Sequence, residues 1–173
     1  MNTQALNCIK ERRSCRSFKN EQIKPEELDA VLDAAVYSPT GMGAQSPKMV
    51  VVTDKETISL MRRINAGVMG ADKDPFYGAP CVIVVFADSN RSTYVEDGSL
   101  LIGSLLLAAH AVGLGSCWIH RAKETFETAE GKSLIKKWGL DNNYVGIGNC
   151  ILGYPDSPLP SPKPRKEDYV LKI

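Results

Sequence analysis

The sequence predicts an α+β or α/β domain. Two observations favour this: apolar residues at helical spacing alternate along the chain with short β-branched runs, and no internal repeat or linker interrupts the alternation. A third is that 43% of the 173 residues are hydrophobic and 24% are charged. Such a composition suits one globular domain, residues 1–173, with a substantial core.

The elements are predicted in order along the chain. A helix begins at Pro25, where proline and two following glutamates suit the first turn, and another follows Asp54. A polar helical region extends through Lys137. Short apolar runs predict four strands: KMVVVT, CVIVVFAD, SCWI and YVGIGNCILGY. The proline-rich end of the chain, residues 156–173, is expected to be an extended arm along a surface.

One apolar segment, Ser99–Gly115, resembles a membrane span at first sight. It is shorter than the ~20 residues that a span requires, Glu96 and Asp97 precede it, and His110 lies within it. We therefore expect a buried helix with His110 as an interior residue. A domain of this size cannot easily surround a helix that is apolar on all sides, which favours a partner subunit over one face.

Charge and cysteine usage limit the possible functions. Lys and Arg number 21 against 20 Asp and Glu, and the net charge of +1 favours neither nucleic acid nor an anionic membrane as a partner. The five cysteines are an odd number without a Cys-x-x-Cys pair, which indicates reduced thiols in a cytoplasmic protein. No export signal is expected, because the first residues have no apolar core.

The segment ERRSCRSF places three arginines close together in the sequence, Arg12, Arg13 and Arg16, with Ser14 among them. Arginine forks and a serine hydroxyl suit a terminal phosphate, although a solvated basic face would have the same composition. A second basic cluster in the tail, which includes Lys163 and Arg165, favours convergence on one anion.

Two further segments have the composition of ligand-binding loops. SPTGMGAQSPK combines glycines with Thr40 and Gln45 as hydrogen-bonding side chains, but it could equally be a plain connection. GLGSCWIHRAKE leads a glycine-bounded turn into a strand that ends near Trp118 and His120. The alternative is that Trp118 belongs to the core and His120 is an ordinary polar surface residue.

Taken together and in this order, these segments resemble the nitroreductase family of FMN-dependent oxidoreductases in its short form. The resemblance rests on RRSCR, SPTGMGAQSP, EDGSLLIGSLLLAAHAVGLGSCWI and the ending GYP...PKPRK. It implies a mixed, mainly antiparallel sheet flanked by helices, an intertwined homodimer, and two FMN sites at the subunit interface. It also implies NAD(P)H as the electron donor and small molecules such as nitroaromatics or quinones as acceptors.

The resemblance also implies roles for individual residues. Arg12 and Ser14 match phosphate and ribityl ligands, Arg13 contributes mainly backbone, and Arg16 matches a cation at the flavin pyrimidine edge. Lys163 and Arg165 match tail positions that close on the phosphate. The remaining positions match a loop lent by the second subunit and a stretch beside flavin N5: Ser38, Pro39, Thr40 and Gln45, then Trp118, Ile119, His120 and Arg121.

Several positions depart from residues that the family often has. Gly43 and Pro47 replace Asn and Trp, and Gly103 and Ser104 replace Gln-Asn. His120 and Arg121 replace Glu-Gly or Gly after the strand. The departures at His120 and Gly103 leave open a non-catalytic FMN-binding or redox-sensing module. A narrow-specificity dehalogenase or enoate reductase is a separate alternative.

The flavin would supply the redox chemistry, so we expect no metal site and no catalytic acid, base or nucleophile. The two histidines offer little for a Cys-His or metal centre. Cys15, beside the arginines that could lower its pKa, is the candidate reactive cysteine, and we expect bound FMN to shield it.

Overall fold

The computed structural model describes residues 3–173, which form six α-helices and four strands. The helices are α1 (Thr3–Glu11), α2 (Pro25–Ala35), α3 (Lys55–Met69), α4 (Tyr94–Ala111), α5 (Ala122–Glu127) and α6 (Ala129–Lys137). The strands are β1 (Lys48–Val52), β2 (Cys81–Asp88), β3 (Gly115–Ile119) and β4 (Tyr144–Gly153). All four predicted strands and the helix from Pro25 are confirmed.

The strands form one sheet in the order β1-β2-β4-β3, and every neighbouring pair is antiparallel. The expected parallel component is limited, within residues 3–173, to an isolated bridge between Ser14 and Ser116. β2 lies inside the sheet, and its first seven residues are fully buried, as its unbroken β-branched run predicts. β1 and β3 are therefore the two edges of the sheet.

Helices cover both faces of the sheet and create two cores. On one face, Met61 of α3 and Phe126 of α5 belong to the cluster that contains Phe86 of β2. On the other face, Val31 of α2 and Leu105 of α4 belong to a separate cluster. Each strand of the sheet interior thus contributes alternate side chains to both cores.

The apolar helix α4 begins and ends earlier than the sequence indicated. The helix starts at Tyr94, so Asp97 lies within it and is buried. It ends at Ala111, and Gly113 follows with a φ of +85°. Leu100 is half exposed and His110 is only half buried, so the expectation of an interior histidine was wrong for the protomer. None of the helices in residues 3–173 has the length and apolar character needed to cross a bilayer.

Local side-chain chemistry sets the limits of α3. The carboxylate of Asp54 accepts a hydrogen bond from the backbone N–H of Thr57 at 2.8 Å, which satisfies a free donor of the first turn. At the other end, Gly70 takes the left-handed conformation that a helix C-terminus favours. These caps fix the position of the α3 residues that reach the site.

The C-terminal arm, residues 156–173, lies outside the sheet. It contains a single short 3-10 turn, Glu167–Tyr169, and residues 160–173 are all exposed. Tyr169, Leu171 and Ile173 are among the exposed apolar residues. An arm that leaves apolar side chains exposed in one protomer agrees with the expectation that it lies along another surface.

Candidate flavin site

The arginine segment lies along the free edge of β3. Ser14 forms a parallel bridge with Ser116, and the N–H of Cys15 donates to the carbonyl of Ser116 at 2.9 Å. Because β3 pairs with β4 on its other side only, this segment occupies the edge that would otherwise be unpaired. The backbone from residue 12 to residue 16 is thereby fixed beside the strand that leads to Trp118.

Several polar atoms at this edge are buried without a partner. Among the described residues, Arg12 Nη1, Arg13 Nε and Ser116 Oγ have no hydrogen-bond acceptor or donor. Arg13 Nη1 donates to the carbonyls of Lys10 (2.6 Å) and Arg12 (2.7 Å), while Arg16 is exposed. An unsatisfied guanidinium N–H is costly when buried, and an anion would remove that cost. The donors present here therefore fit a phosphate group.

The C-terminal arm begins at the same place. The N–H of Asp156 donates to the carbonyl of Ser17 at 3.0 Å, and Phe18 forms a bridge with Pro155. Lys163 and Arg165 follow within nine residues of Asp156 and are exposed, without a hydrogen bond or ion pair to any described residue. The arm thus starts beside the arginine segment, but the protomer does not bring its two cations onto the arginines.

The end of β3 continues the same edge toward α5. Trp118 is 48% exposed, so it is not a core residue, and its ring lies 5.4 Å from that of the exposed His120. Ile119 is buried between them. Arg121 has a φ of +71°, in the left-handed region that disfavours non-glycine residues. Ser116, Trp118 and His120 stand at alternate positions of the chain, and Ser116 pairs with Ser14. The arginine segment and the segment that contains Trp118 therefore lie side by side.

The loop between α2 and β1 lies elsewhere in the protomer. It leads into β1, the edge strand opposite β3, and three strand spacings of ~4.8 Å separate the two edges. Ser38, Thr40 and Gln45 line a small cavity of about 140 Å³, and Pro39 is exposed. The structure therefore divides the predicted site residues into a group at β3 and a group beside β1.

Asp97, which sequence reasoning did not select, organises this loop. Its carboxylate is 2% exposed and accepts hydrogen bonds from the N–H of Gly41 at 2.8 Å and from Thr93 Oγ1 at 3.1 Å. A Cβ at Gly41 would clash with the side chain of Thr93, which favours a glycine there. The N–H of Gln45 donates to Thr40 Oγ1 at 3.0 Å, which closes the loop on itself.

Asn65 is a second residue that the sequence analysis missed. It is fully buried on α3, and its Nδ2 donates to the carbonyl of His120 at 3.0 Å and to Thr125 Oγ1 at 3.2 Å. The signal was present: Asn65 follows Met61 by one helical turn, at a spacing where an apolar residue is expected to face the core.

The prediction of a lowered pKa at Cys15 was wrong. The side chain is 3% exposed, and burial raises the pKa of its thiol above the ordinary value of 9.0. Its Sγ–H donates to the carbonyl of Ser17 at 3.2 Å. Desolvation by burial is the largest influence on this pKa, so the protein itself shields this cysteine.

A model of the nitroreductase family matches residues 9–72 and 69–154. These ranges include the arginine segment, the loop before β1 and the turn after β3. The chain belongs to the nitroreductase family. The resemblance inferred from the motifs is thus confirmed. A solved nitroreductase structure also has the same fold.

Individual nitroreductase relatives support this assignment. A Methanothermobacter thermautotrophicus protein with the provisional name NADH dehydrogenase/NAD(P)H nitroreductase is 32% identical over 157 residues, 87% of this chain and 76% of its own. The iodotyrosine deiodinase of Thermotoga neapolitana is 31% identical over 181 residues, 93% of either chain. The structure of a nitroreductase with bound FMN from Desulfitobacterium hafniense DCB-2 is 28% identical, with a TM-score of 0.89 over 100% of both chains.

The departures from common nitroreductase residues concentrate at open positions. A Cβ at Gly103 would meet no atom within 4 Å, and Ser104 Oγ donates to the carbonyl of Leu100 within α4. Gly43 is exposed with a φ of +65°, and Pro47 lines the small loop cavity. Side chains are thus shortened at these four positions, whereas His120 and Arg121 carry longer side chains than the glycine often found there.

Proposed function

We propose that this protein is an FMN-dependent oxidoreductase that uses NAD(P)H to reduce small oxidised acceptors such as nitroaromatics or quinones. Membership of the nitroreductase family and the FMN named in the Desulfitobacterium structure support the cofactor. The observation that carries the proposal is the pair of buried, unpartnered guanidinium nitrogens of Arg12 and Arg13 at the β3 edge.

The arginine segment would hold the phosphate of FMN. Backbone pairing fixes Ser14 and Cys15 beside β3, and the buried Arg12 Nη1 has a free donor for the phosphate. The exposed Arg16 would lie at the pyrimidine edge, where a cation stabilises negative charge. Lys163 and Arg165 would complete the phosphate site once the arm is ordered around it.

When bound, FMN supplies the redox chemistry by accepting hydride from NAD(P)H at N5 and returning two electrons to the acceptor, with protons from solvent. The protein's own contribution is position and access. Trp118 and His120 would line the flavin edge, and their exposure leaves room beside it for a planar reactant. Donor and acceptor would use this one cleft in turn, which suits a broad range of acceptors.

A homodimer would bring the two groups of site residues together. The loop beside β1 lies across the sheet from the arginine segment of its own protomer, so the partner's copy is the natural source of Ser38, Thr40 and Gln45. The half-exposed Leu100 of α4 and the exposed apolar residues of the arm offer the contact surface. The single domain would thus extend an arm, residues 156–173, over its partner.

The visible spectrum of the purified protein, recorded before and after anaerobic addition of NADH or NADPH, tests the proposal. Flavin absorbance that bleaches with a nicotinamide and returns with a quinone or nitroaromatic is the expected result. Flavin that stays oxidised would support the non-catalytic, redox-sensing alternative. Protein that binds no FMN at micromolar concentration would overturn both readings.

The similarity to an iodotyrosine deiodinase favours reductive dehalogenation as a second candidate function. Dehalogenating relatives usually carry a lid over the substrate. Here only five residues separate the end of β2 at Asp88 from the start of α4 at Tyr94. This connection therefore offers little length for a lid. Release of halide from a halogenated tyrosine under reducing conditions, at a rate above that of nitroaromatic reduction, would favour the second candidate.

We place either activity in the cytoplasm, given the free thiols.

A further inference from the structure

Two buried asparagines hold consecutive carbonyls at the end of β3. Asn65 Nδ2 donates to the carbonyl of His120 at 3.0 Å, and Asn149 Nδ2 donates to the carbonyl of Ile119 at 3.3 Å. Asn65 is 0% exposed and Asn149 is 1% exposed. Side-chain amides buried in this way fix a backbone strongly, because breaking either bond would leave a polar group unsatisfied.

The turn that follows is held in a strained conformation. Arg121 has a φ of +71°, which costs a non-glycine residue ~1 kcal/mol or more. Its Nε lies 3.4 Å from Asn65 Oδ1, and its Nη2 lies 3.0 Å from Met69 Sδ. The carbonyl of Arg121 accepts from the N–H of Thr125 at 2.9 Å. The surroundings therefore impose the conformation on Arg121.

The turn also packs closely against β4. A Cβ at Gly146 would lie 2.8 Å from the backbone of Ala122, the residue after Arg121. The backbone from His120 to Ala122 is thus bonded to α3 through Asn65 and touches β4 at Gly146, beside a cavity of about 160 Å³. The hydrogen bonds of the Asn65 side-chain amide all go to this turn or to Thr125 beside it.

We propose that Asn65 is a positioning residue of the flavin site, which acts by fixing the His120–Arg121 backbone beside the redox edge of the flavin. This inference rests on the proposed function. Peptide dipoles stabilise a charge that develops during reduction only if they are held in place beforehand. Loss of the Asn65 amide should therefore lower the flavin midpoint potential and slow flavin reduction. FMN affinity should change little, because the arginine segment is anchored separately.

The test compares Asn65→Leu and Asn65→Ser with Met61→Leu, a matched core change one helical turn away on α3. Flavin midpoint potential, anaerobic reduction rate, FMN dissociation constant and thermal midpoint are measured for each variant. We expect both Asn65 variants to be reduced about tenfold more slowly at a lower potential, with the FMN dissociation constant within about threefold of wild type. Met61→Leu should keep the wild-type potential whatever its thermal midpoint.

If the Asn65 variants do not fold, Thr125→Val decides by the same readouts. It removes the second acceptor of Asn65 without a change in shape, and a smaller shift in the same direction is expected. Asn65 or Thr125 variants that lose only thermal stability, with wild-type potential and reduction rate, would overturn the inference alone. Wild-type protein that binds no FMN would instead overturn the proposed function, and the inference with it.

Discussion

The β3 edge and the loop beside β1 hold their polar groups in opposite ways. At the β3 edge, the nitrogens of Arg12 and Arg13 are buried without partners among the described residues. In the loop, the N–H groups of Gly41 and Gln45 are already satisfied, the first by the buried carboxylate of Asp97. Ser46 Oγ of the loop is also buried without a partner among the described residues, but the backbone N–H groups that shape the loop have acceptors before any ligand binds, whereas these guanidinium donors do not.

This difference indicates how a site divided between two regions can be selective. The region with free donors supplies the affinity for an anion, because its hydrogen bonds form only when the anion arrives. The region that is already closed supplies geometry, because little conformational entropy is lost when a ligand meets it. Substitutions in the two regions should therefore differ in size and in kind.

The largest effect is expected from Arg12→Ala. A charge-assisted hydrogen bond contributes ~1.5–3 kcal/mol, and a bidentate contact between Arg12 and the phosphate makes two of them. Its loss should weaken FMN binding by roughly a hundredfold or more. Fluorescence titration of the apoprotein measures the change. Arg63→Ala, an exposed arginine of α3, is the control. Equal and small effects from both variants would mean that the arginine segment is a solvated basic face.

Asp97→Ala should have an intermediate effect. It leaves the N–H of Gly41 without its acceptor and releases the loop, so FMN affinity should fall by about tenfold through lost preorganisation. Asp97→Asn keeps an accepting oxygen and should preserve most of the affinity. Glu96→Ala, an exposed neighbour on α4, is the control for charge. If folded Asp97→Ala protein binds FMN with unchanged affinity, the loop is not part of the FMN site.

Arg16→Ala should alter the flavin rather than its retention. An exposed cation at the pyrimidine edge favours the reduced flavin, so its loss should lower the midpoint potential and slow flavin reduction several-fold. Most FMN should stay bound because Arg12 remains. A variant that loses FMN as completely as Arg12→Ala would place Arg16 at the phosphate instead.

The smallest effect on turnover is expected from a change at Cys15. This residue pairs with β3 but is not one of the residues with a buried, unpartnered donor. Its raised pKa means less thiolate at any given pH, and its side chain is buried, so iodoacetamide should label Cys15 more slowly than the more exposed Cys8. Cys15→Ala should leave turnover within a few-fold of wild type. Peptide mapping after iodoacetamide treatment at pH 8 checks the first point, and faster labelling of Cys15 than of Cys8 would contradict it.

Much of the fold was predictable because its signals are local. The β-branched runs identified every strand, and Pro25 marked the start of α2. The apolar run begins only at Ser99, with the acidic Glu96 and Asp97 at its start, so it did not show that α4 begins at Tyr94. Only the tertiary structure shows that Gly41 and Thr93 give Asp97 the hydrogen bonds that allow its burial.

The candidate site was less predictable, because its contacts join distant parts of the chain. Neighbours in sequence suggested that arginines lower the pKa of Cys15, but Ser116 and Gly115 pack over it and burial dominates. Asn65 could be noticed as a polar residue at a core position. Its partner, the carbonyl of His120, follows only from the packing of α3 against the end of β3.

Titration of the apoprotein with FMN and with riboflavin tests the central claim most directly. The two ligands share the ring system and differ in the phosphate, which the donors of Arg12 and Arg13 are proposed to bind. We predict that FMN binds at least about a hundredfold more tightly than riboflavin, and that Arg12→Ala removes most of this difference. Equal affinities of the wild-type apoprotein for FMN and riboflavin would contradict the account.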